Sequence, residues 1–247
     1  MSDSADIIFR SEDGRVITRE ELAGVSGTIH YEIPGDDRVP DAVRDLHEQA
    51  RQAGGAGDYG RAEELLRLAM EGAPTWPYPP YDLAFTYLLQ DDAEQALRYY
   101  QETDRLAPRG FFTTKTAVDT LGKEAAGAFP PGLYRAYVQL EWIDDRQQQI
   151  EFLVQLTEQV PLFAPAWKDL AGHLDDQSER LAALETGLSH SPDATTKSML
   201  LVNRGLALDQ LGRREEAIAT LGAVALDEDT APDARHLAKF ALQSIVG

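Results

Sequence analysis

The stretches GDYGRAEELLRLAMEGAP (residues 57–74) and DDAEQALRYYQETDRLAP (residues 91–108) are two versions of one segment, set 34 residues apart. Each begins with a turn, continues as a helix with small and large apolar residues at fixed places, and ends at a proline. A period of this length is typical of an array of helix–turn–helix repeats, which stack on one another to build a continuous core. The sequence therefore predicts an all-α repeat protein, a class that usually presents binding surfaces.

The spacing of small and large residues agrees with this reading across two complete repeats. The first, counted from Val43, carries Leu46, Ala50, Ala53, Ala62, Leu66, Ala69 and Pro74, and the second, counted from Pro77, carries Leu83, Ala84, Tyr87, Ala96, Tyr100, Thr103 and Pro108. Small residues let paired helices approach closely, and the large residue fills the remaining gap. The pattern resembles the tetratricopeptide repeat (TPR) family. That resemblance implies a right-handed superhelix (α solenoid) of helical hairpins that binds proteins or peptides on its concave surface.

The match to the repeat is clear near both ends of the helical region and weaker in the middle. A third good repeat includes Gly205, Leu208, Gly212, Ala217, Leu221 and Val224. We predict a helical repeat domain over residues 41–247, with hairpins at about 43–74, 77–108, 130–161, 164–192 and 198–229. An extra helix at about 111–128 and a C-terminal cap helix at about 231–245 complete the prediction.

Residues 1–40 form a separate, β-rich segment in this interpretation. IIF (residues 7–9), VIT (residues 16–18) and GTIHYEI (residues 27–33) have the composition of short strands, and the last alternates apolar residues on one face. Thr18 and Glu21 have the spacing of a capping box, which predicts a helical turn over residues 18–22.

The charge of the chain limits the classes of partner. Forty-two acidic and twenty-three basic residues give a formal charge of −19, which repels nucleic acid and anionic lipid. Two readings of this charge stay open: attraction of a basic protein partner, or solubility alone with no particular partner. There is no cysteine, no signal-peptide pattern and no long apolar run. We expect a cytoplasmic protein with a protein or peptide partner, no nucleic-acid partner and no membrane; the oligomeric state stays open.

Paired aspartates recur along the helical region and could suggest a metal site. They are Asp91 with Asp92, Asp144 with Asp145, and Asp175 with Asp176. Each pair falls at a predicted turn inside a repeat, where a carboxylate caps the following helix. The pairs lie in separate repeats, the five histidines are scattered, and no phosphate-binding or dinucleotide motif is present. We therefore predict capping residues, no metal and no cofactor.

The segment TWPYPPYDLAF (residues 75–85) is the most suggestive for binding. The family resemblance implies that certain positions of each first helix line the concave surface. In this chain those positions are Tyr78, Tyr81, Phe85, Leu88, His47, Arg51, Tyr134, Val138, Val202, Leu206 and Asp209. Aromatic side chains in a groove are favoured anchors for a bound peptide. Two readings stay open: an open groove, or a core covered by the N-terminal segment or by the extra helix.

Some members of this family bind acidic C-termini through a clamp of basic and amide side chains. Here His47 and Arg51 stand at the first two clamp positions, and Asp82 stands where a second asparagine is expected. A carboxylate facing a carboxylate is repulsive, so this specialisation is not expected.

The leading functional prediction is a protein- or peptide-binding scaffold or adaptor that is not an enzyme and has no catalytic residues. One alternative is an acidic inhibitor or neutraliser of a basic protein. A second is an enzyme with an unrecognised site between the irregular central repeats, near Glu141, Trp142, Asp144 and Asp145. A third is self-association through the aromatic residues of the segment 75–85.

Overall fold

The computed structural model describes residues 8–10, 30–32 and 39–246. The chain divides into two compact units, one of residues 35–139 and one of residues 1–34 with 140–247. Near the N-terminus, β1 (Ile8–Arg10) pairs with β2 (His30–Glu32) as an antiparallel ladder, with Phe9 opposite Tyr31. The strand predicted at residues 16–18 and the helical turn predicted at 18–22 lie outside the described residues.

The unit of residues 35–139 is built from helical hairpins. Its helices are α1 (Asp41–Gly55), α2 (Tyr59–Gly72), α3 (Tyr78–Leu89), α4 (Ala93–Leu106), α5 (Thr114–Ala125) and α6 (Leu133–Val138). The pairs α1/α2 and α3/α4 pack as hairpins, α2 packs against α3, and α5 packs against α4. The extra helix is thus α5, and it lies on the second hairpin.

The unit that contains residues 140–247 is helical over its described C-terminal part. Its helices are α7 (Arg146–Gln159), α8 (Ala164–His173), α9 (Gln177–Ser189), α10 (Ala194–Gln210), α11 (Arg214–Leu226) and α12 (Pro232–Val246). The pairs α8/α9 and α10/α11 are hairpins, and α12 packs on α11. The all-α prediction is confirmed for residues 39–246.

The third hairpin, predicted at residues 130–161, is irregular. Its first helix is only the six residues of α6, followed by a 3₁₀ turn (Gln139–Trp142). The division between the two units falls after Gln139. The predicted hairpin is therefore split between two compact units, where the sequence match to the repeat is weak.

The turns inside three hairpins share one backbone geometry. Gly57, Asp91 and Gly212 have φ values of 79°, 66° and 75°, in the left-handed region that suits glycine. In each turn the next residue donates its N–H to a carbonyl five residues back, as from Asp92 to Tyr87 at 3.0 Å. The same local turn recurs because it closes the first helix and starts the second.

The paired aspartates act as helix caps, as the sequence predicts. Asp92 accepts a hydrogen bond from Gln95 N at 3.0 Å, and Asp145 accepts one from Gln148 N at 2.8 Å. Asp176 does the same for two N–H groups at the start of α9, and Asp58 caps α2. Each carboxylate satisfies a donor that the helix itself leaves unpaired.

The turn at Asp91 and Asp92 offers a prediction with a matched control. Asp92→Ala removes the cap of α4 and is expected to lower the free energy of unfolding by about 1 kcal/mol. Asp91→Gly, one residue earlier, is expected to change stability by less than about 1 kcal/mol, because glycine adopts a positive φ without strain while the exposed ion pair with Arg135, at 2.7 Å, is lost. Urea unfolding followed by circular dichroism measures both changes, and equal losses would contradict the assignment of the cap to Asp92.

Small residues allow the helices of a hairpin to approach closely. Gly205 on α10 is buried, and a Cβ atom placed there would lie 2.5 Å from Leu221 Cγ on α11. Leu221 is fully buried in the core of its unit. The small residue Gly205 on the first helix of this hairpin therefore meets the large residue Leu221 on its second helix, as the repeat pattern predicts.

Candidate functional site

Helix α3 carries a half-exposed stripe of aromatic side chains. Its first turn contains two prolines, Pro79 and Pro80, which tolerate the first turn because the N–H groups there have no intrahelical partner. Tyr78, Tyr81 and Phe85 are each half-buried and follow one another at spacings of three and four residues. We call these three residues the aromatic stripe. The prediction that they share one helix face fits the observed burial pattern.

Leu88 does not extend the stripe, which corrects the sequence prediction. Its side chain is only 2% exposed, whereas Leu89 is half-buried and stands four residues after Phe85. A helix has 3.6 residues per turn, so an exposed stripe continues at either the third or the fourth residue. Here the fourth residue stays on the accessible face, and the third packs into the core.

Polar residues from α1 border the aromatic stripe. The Nε2 atom of His47 hydrogen-bonds to Asp82 Oδ2 at 2.7 Å, and Arg51 Nε lies 3.9 Å from the same oxygen. His47 is buried, and its ring lies edge-on to Tyr78 with centroids 5.9 Å apart; Arg51 is exposed. The burial of His47 corrects its predicted place on an open groove, because its ring packs against Trp76 and Tyr78, and only Arg51 of these two α1 residues is accessible. The carboxylate of Asp82 is thus hydrogen-bonded to His47 and lies close to the guanidinium group of Arg51.

A loop between α4 and α5 covers part of the aromatic stripe. The covering loop is the segment of residues 109–113, and Phe111 within it is buried. The Phe111 ring meets Tyr78 edge-on at 4.8 Å between centroids and Tyr81 at 5.5 Å. The Phe112 ring lies 5.7 Å and 5.3 Å from the same two rings. The segment that leads into the extra helix thus supplies two aromatic neighbours that the sequence did not assign to the site.

Phe112 has an unusual backbone conformation. Its φ is 45°, in the left-handed region that costs a residue with a Cβ roughly 1–2 kcal/mol. Bulky residues are rare there, and such strain persists only where surrounding contacts enforce it. The neighbours of its ring include Phe111, at 4.5 Å between centroids, besides the two tyrosines of the stripe. Packing on the stripe is therefore the force that holds this conformation.

Hydroxyl groups connect the covering loop to the helices beneath it. Tyr81 Oη shares a hydrogen bond of 2.9 Å with Thr113 Oγ1, and Tyr134 Oη donates to the same oxygen at 3.2 Å. Tyr100 lies fully buried below, edge-on to both tyrosine rings. Burial raises the pKa of Tyr100 well above its ordinary value, with the nearby Tyr134 adding to the effect. Tyr100 is therefore neutral at ordinary pH and acts as a buried packing group.

Tyr134 is therefore a core residue, which corrects its predicted place on an open groove. Its side chain is fully buried because α6 packs it against Tyr100, and Val138 on the same helix is half-buried. In the other unit, Val202 is also buried in the core, which corrects its prediction too, while Leu206 is 38% exposed and Asp209 half-buried.

The residues considered for an enzyme lie at an exposed turn. Glu141, Trp142, Asp144 and Asp145 are all exposed, and Trp142 is 54% exposed. Asp145 is occupied as the cap of α7. Within the described residues, no three histidine, aspartate or glutamate side chains converge as a metal-ion site would require. None of the described helices combines the length and apolar character needed to cross a membrane.

A polar network that the sequence analysis missed joins the first two hairpins. Arg67 on α2 donates to the hydroxyls of Tyr87 and Tyr99, each at 2.8 Å, and to Glu63 Oε1 at 2.8 Å. Tyr87 also donates to Glu63, and the rings of Tyr87 and Tyr99 stack 5.6 Å apart. We call these four residues the inter-hairpin network. Its only sequence signal is the Glu63–Arg67 pair, four residues apart on one helix.

The network changes the ionisation of its members. The hydrogen bond from Tyr87 and the ion pair with Arg67 lower the pKa of Glu63. Burial and the hydrogen bond to Glu63 raise the pKa of Tyr87 to about 12. The hydrogen bond to Glu63 also raises the pKa of Arg67. The arrangement therefore holds a charged Arg–Glu pair and a neutral tyrosine over the neutral pH range.

No protein-family model matches the chain, and no curated protein sequence matches it. Among solved structures, the TPR2AB domain of yeast Sti1 in complex with pHSP90 is similar over 83% of this chain and 86% of its own, with 15% identity and a TM-score of 0.41. TTC0263, a TPR protein of Thermus thermophilus, is similar over 81% and 99%, with 18% identity and a TM-score of 0.36. YrrB, a TPR protein with an unusual peptide-binding site, is similar over 84% and 97%, with 14% identity and a TM-score of 0.34. All three are TPR proteins, the class that the sequence resembles.

Proposed function

We propose that the chain is a binding scaffold that recognises a protein or peptide through the aromatic stripe of the unit of residues 35–139. The observation that carries this proposal is the half-buried state of Tyr78, Tyr81 and Phe85 on one face of α3. Tyrosine and phenylalanine supply large apolar contact area from few rotatable bonds, so they are favoured as binding anchors. The exposed Arg51, which lies beside Asp82 at the border of the stripe, supports orientation of a partner at the same surface.

In this proposal the partner presents a positively charged surface region to the chain. The chain carries a formal charge of −19, which accelerates association with a cationic surface and repels an anionic one. Anchoring by the stripe and steering by the acidic surface are separate contributions. A binding role is favoured over a catalytic one because the central carboxylates are exposed and Asp145 serves as a helix cap. A cytoplasmic location stays a prediction from the sequence.

The stripe is tested by affinity capture with the wild-type chain and the double variant Tyr81→Ala, Phe85→Ala. Loss of two aromatic anchors is expected to weaken a stripe-bound partner by about 100-fold or more, since each central anchor contributes on the order of 2 kcal/mol. Proteins captured by the wild type and lost from the double variant are then purified and their affinities measured by calorimetry. Circular dichroism and thermal unfolding confirm that the variant keeps its fold.

Trp142→Ala is the matched control, because it removes an exposed aromatic ring outside the stripe. It is expected to retain the same partners. Equal capture by the wild type and the double variant would exclude the stripe as the binding surface.

A salt titration tests the alternative that the chain neutralises a basic protein. If the association rate falls steeply between low and high salt while the double variant still binds, charge neutralisation is favoured over anchoring by the stripe. Conversion of a wild-type oligomer to a monomer by the double variant would identify a second copy as the partner.

A further inference from the structure

The covering loop places a phenylalanine ring on the surface that the proposed function assigns to a partner. Phe112 is half-buried, and its ring lies against Tyr78 and Tyr81 of the aromatic stripe. Its neighbour Phe111 is 2% exposed and belongs to the core beneath. The two consecutive rings therefore differ in role: Phe111 anchors the loop, and Phe112 lies over the accessible part of the stripe.

The ring of Phe112 is held in place against a backbone preference. Its φ of 45° is unfavourable for a residue with a Cβ and is normal for glycine. Gly110, two positions earlier in the same loop, also has a positive φ, of 115°. A loop with an unfavourable conformation opens at a lower cost than a relaxed loop with the same contacts.

The hydroxyl group of Thr113 links this loop to the stripe. Thr113 Oγ1 bonds to Tyr81 Oη at 2.9 Å and accepts from Tyr134 Oη at 3.2 Å. Thr113 precedes α5 as its N-cap residue, yet its side chain makes no capping hydrogen bond. Its hydroxyl thus serves the contact with the stripe instead of the helix, and Thr113 itself is exposed.

We propose that Phe112 is an internal occupant of the aromatic stripe, and that the partner displaces it with an aromatic side chain of its own. This inference rests on the proposed function and names the chemistry of its ligand. The ring that the stripe already accommodates is a phenylalanine, edge-on to one tyrosine and tilted on the other. The natural ligand is then a peptide segment that presents an aromatic residue, and binding competes with closure of the loop.

The flanks of the internal segment indicate the charge of such a ligand. Arg109 and Lys115 stand on either side of the two phenylalanines, and Lys115 Nζ pairs with Asp104 Oδ1 at 2.8 Å. The segment is thus a basic, aromatic peptide in a chain of strongly acidic charge. Electrostatic complementarity of this kind favours encounter with a partner segment of the same composition.

The probe is a synthetic peptide, PRGFFTTK, that copies residues 108–115 of the chain. Its affinity is measured by fluorescence anisotropy for the wild type and for Phe112→Gly, in which the ring is removed and the positive φ is relaxed. We expect Phe112→Gly to bind the peptide at least about tenfold more tightly, because the internal competitor is absent. Thr113→Ala keeps the ring and removes the hydroxyl group that links the loop to the stripe, and a gain of about threefold is expected.

Three controls define the site. A peptide in which the second phenylalanine is alanine is expected to lose the binding. Ser191→Gly relaxes another residue with a positive φ, 51°, outside the stripe, and is expected to leave the peptide affinity unchanged. Adding Tyr81→Ala to Phe112→Gly is expected to abolish peptide binding.

The outcomes separate the inference from the proposed function. Equal peptide affinity of the wild type, Phe112→Gly and Thr113→Ala would overturn the internal occupant, while a partner captured through Tyr81 and Phe85 would leave the binding scaffold standing. Peptide binding that survives Tyr81→Ala would place the peptide elsewhere and overturn the internal occupant, whereas the binding scaffold is overturned only by equal capture in the separate experiment with the double variant. A Phe112→Gly chain that fails to fold, together with no gain in Thr113→Ala, would show that the ring is core and also overturn the inference.

Discussion

Replacing Gly205 with alanine is expected to lower the free energy of unfolding by about 1–2 kcal/mol, although alanine is the better helix former. The new Cβ atom would stand 2.5 Å from Leu221 Cγ and 2.8 Å from its Cδ2. Leu221 is fully buried on α11, so its side chain cannot swing into solvent. The two helices must separate or Leu221 must leave its preferred rotamer, and either response loses packing.

Gly222→Ala is the matched control for Gly205→Ala. Gly222 is also inside a helix, α11, but a Cβ atom there meets nothing within 4 Å. The substitution is therefore expected to stabilise the chain by about 0.5–1 kcal/mol through helix propensity alone. Chemical unfolding of both variants measures the two changes. A gain of stability in both would show that α10 and α11 are not packed as closely as described.

The second large effect is expected at the inter-hairpin network. Arg67→Met keeps an apolar stem but removes four hydrogen bonds, two to Glu63 and one to each tyrosine, and we expect a loss of about 2 kcal/mol in the free energy of unfolding. The Arg67 and Glu63 side chains are 47% and 30% exposed, so their ion pair alone contributes little, roughly 0.5 kcal/mol. Most of the loss comes from the hydroxyls of Tyr87 and Tyr99, which are buried and lose a charged donor.

Arg61→Met is the control for this substitution. Arg61 pairs with Glu64 on the same helix, with exposed fractions of 49% and 61%, and this pair lies apart from the two tyrosines. A change of less than about 0.5 kcal/mol is expected from an exposed pair of this kind. If the two arginine variants lose the same stability, the contacts between hairpins add nothing to the local ion pair.

The network also sets a pH range for stability. The pKa of Glu63 is below its ordinary value of 4.5, so its contribution is present above that pH and is lost as the pH falls through its folded-state pKa. The pKa of Tyr87 rises from 10.0 to about 12, so its contribution is present below pH 10 and is lost as the pH rises towards 12. We expect Tyr87→Phe to flatten the alkaline loss, measured by thermal unfolding from about pH 8 to about pH 12. If Tyr87→Phe loses as much thermal stability at alkaline pH as the wild type, ionisation of Tyr87 is not the cause of that loss.

The candidate site is only partly predictable from the sequence. The helical period places Tyr78, Tyr81 and Phe85 on one face, because that relation depends only on local helix geometry. The prediction for Leu88 is wrong because a spacing of three and a spacing of four both fit one face. The predictions for Tyr134 and Val202 rest on repeat position, which gives no information on what packs above a residue.

The sequence by itself determined the helical hairpins. Their turns need only a residue that accepts a positive φ, such as Gly57 or Gly212, and their close packing needs a small residue such as Gly205. These requirements are local or repeat with a fixed period, so they can be read directly from residue spacing.

Only the tertiary structure decided how the aromatic stripe is covered. The covering loop follows no period, and Phe112 adopts a backbone conformation that its own residue type disfavours. The position of its ring comes from contacts with α3 and from the hydrogen bond of the neighbouring Thr113 hydroxyl. In the chain, α3 is separated from this loop by the whole of α4. Long-range packing overrode local preference at that point, which is why the contact of Phe112 with the stripe could not be predicted from the sequence.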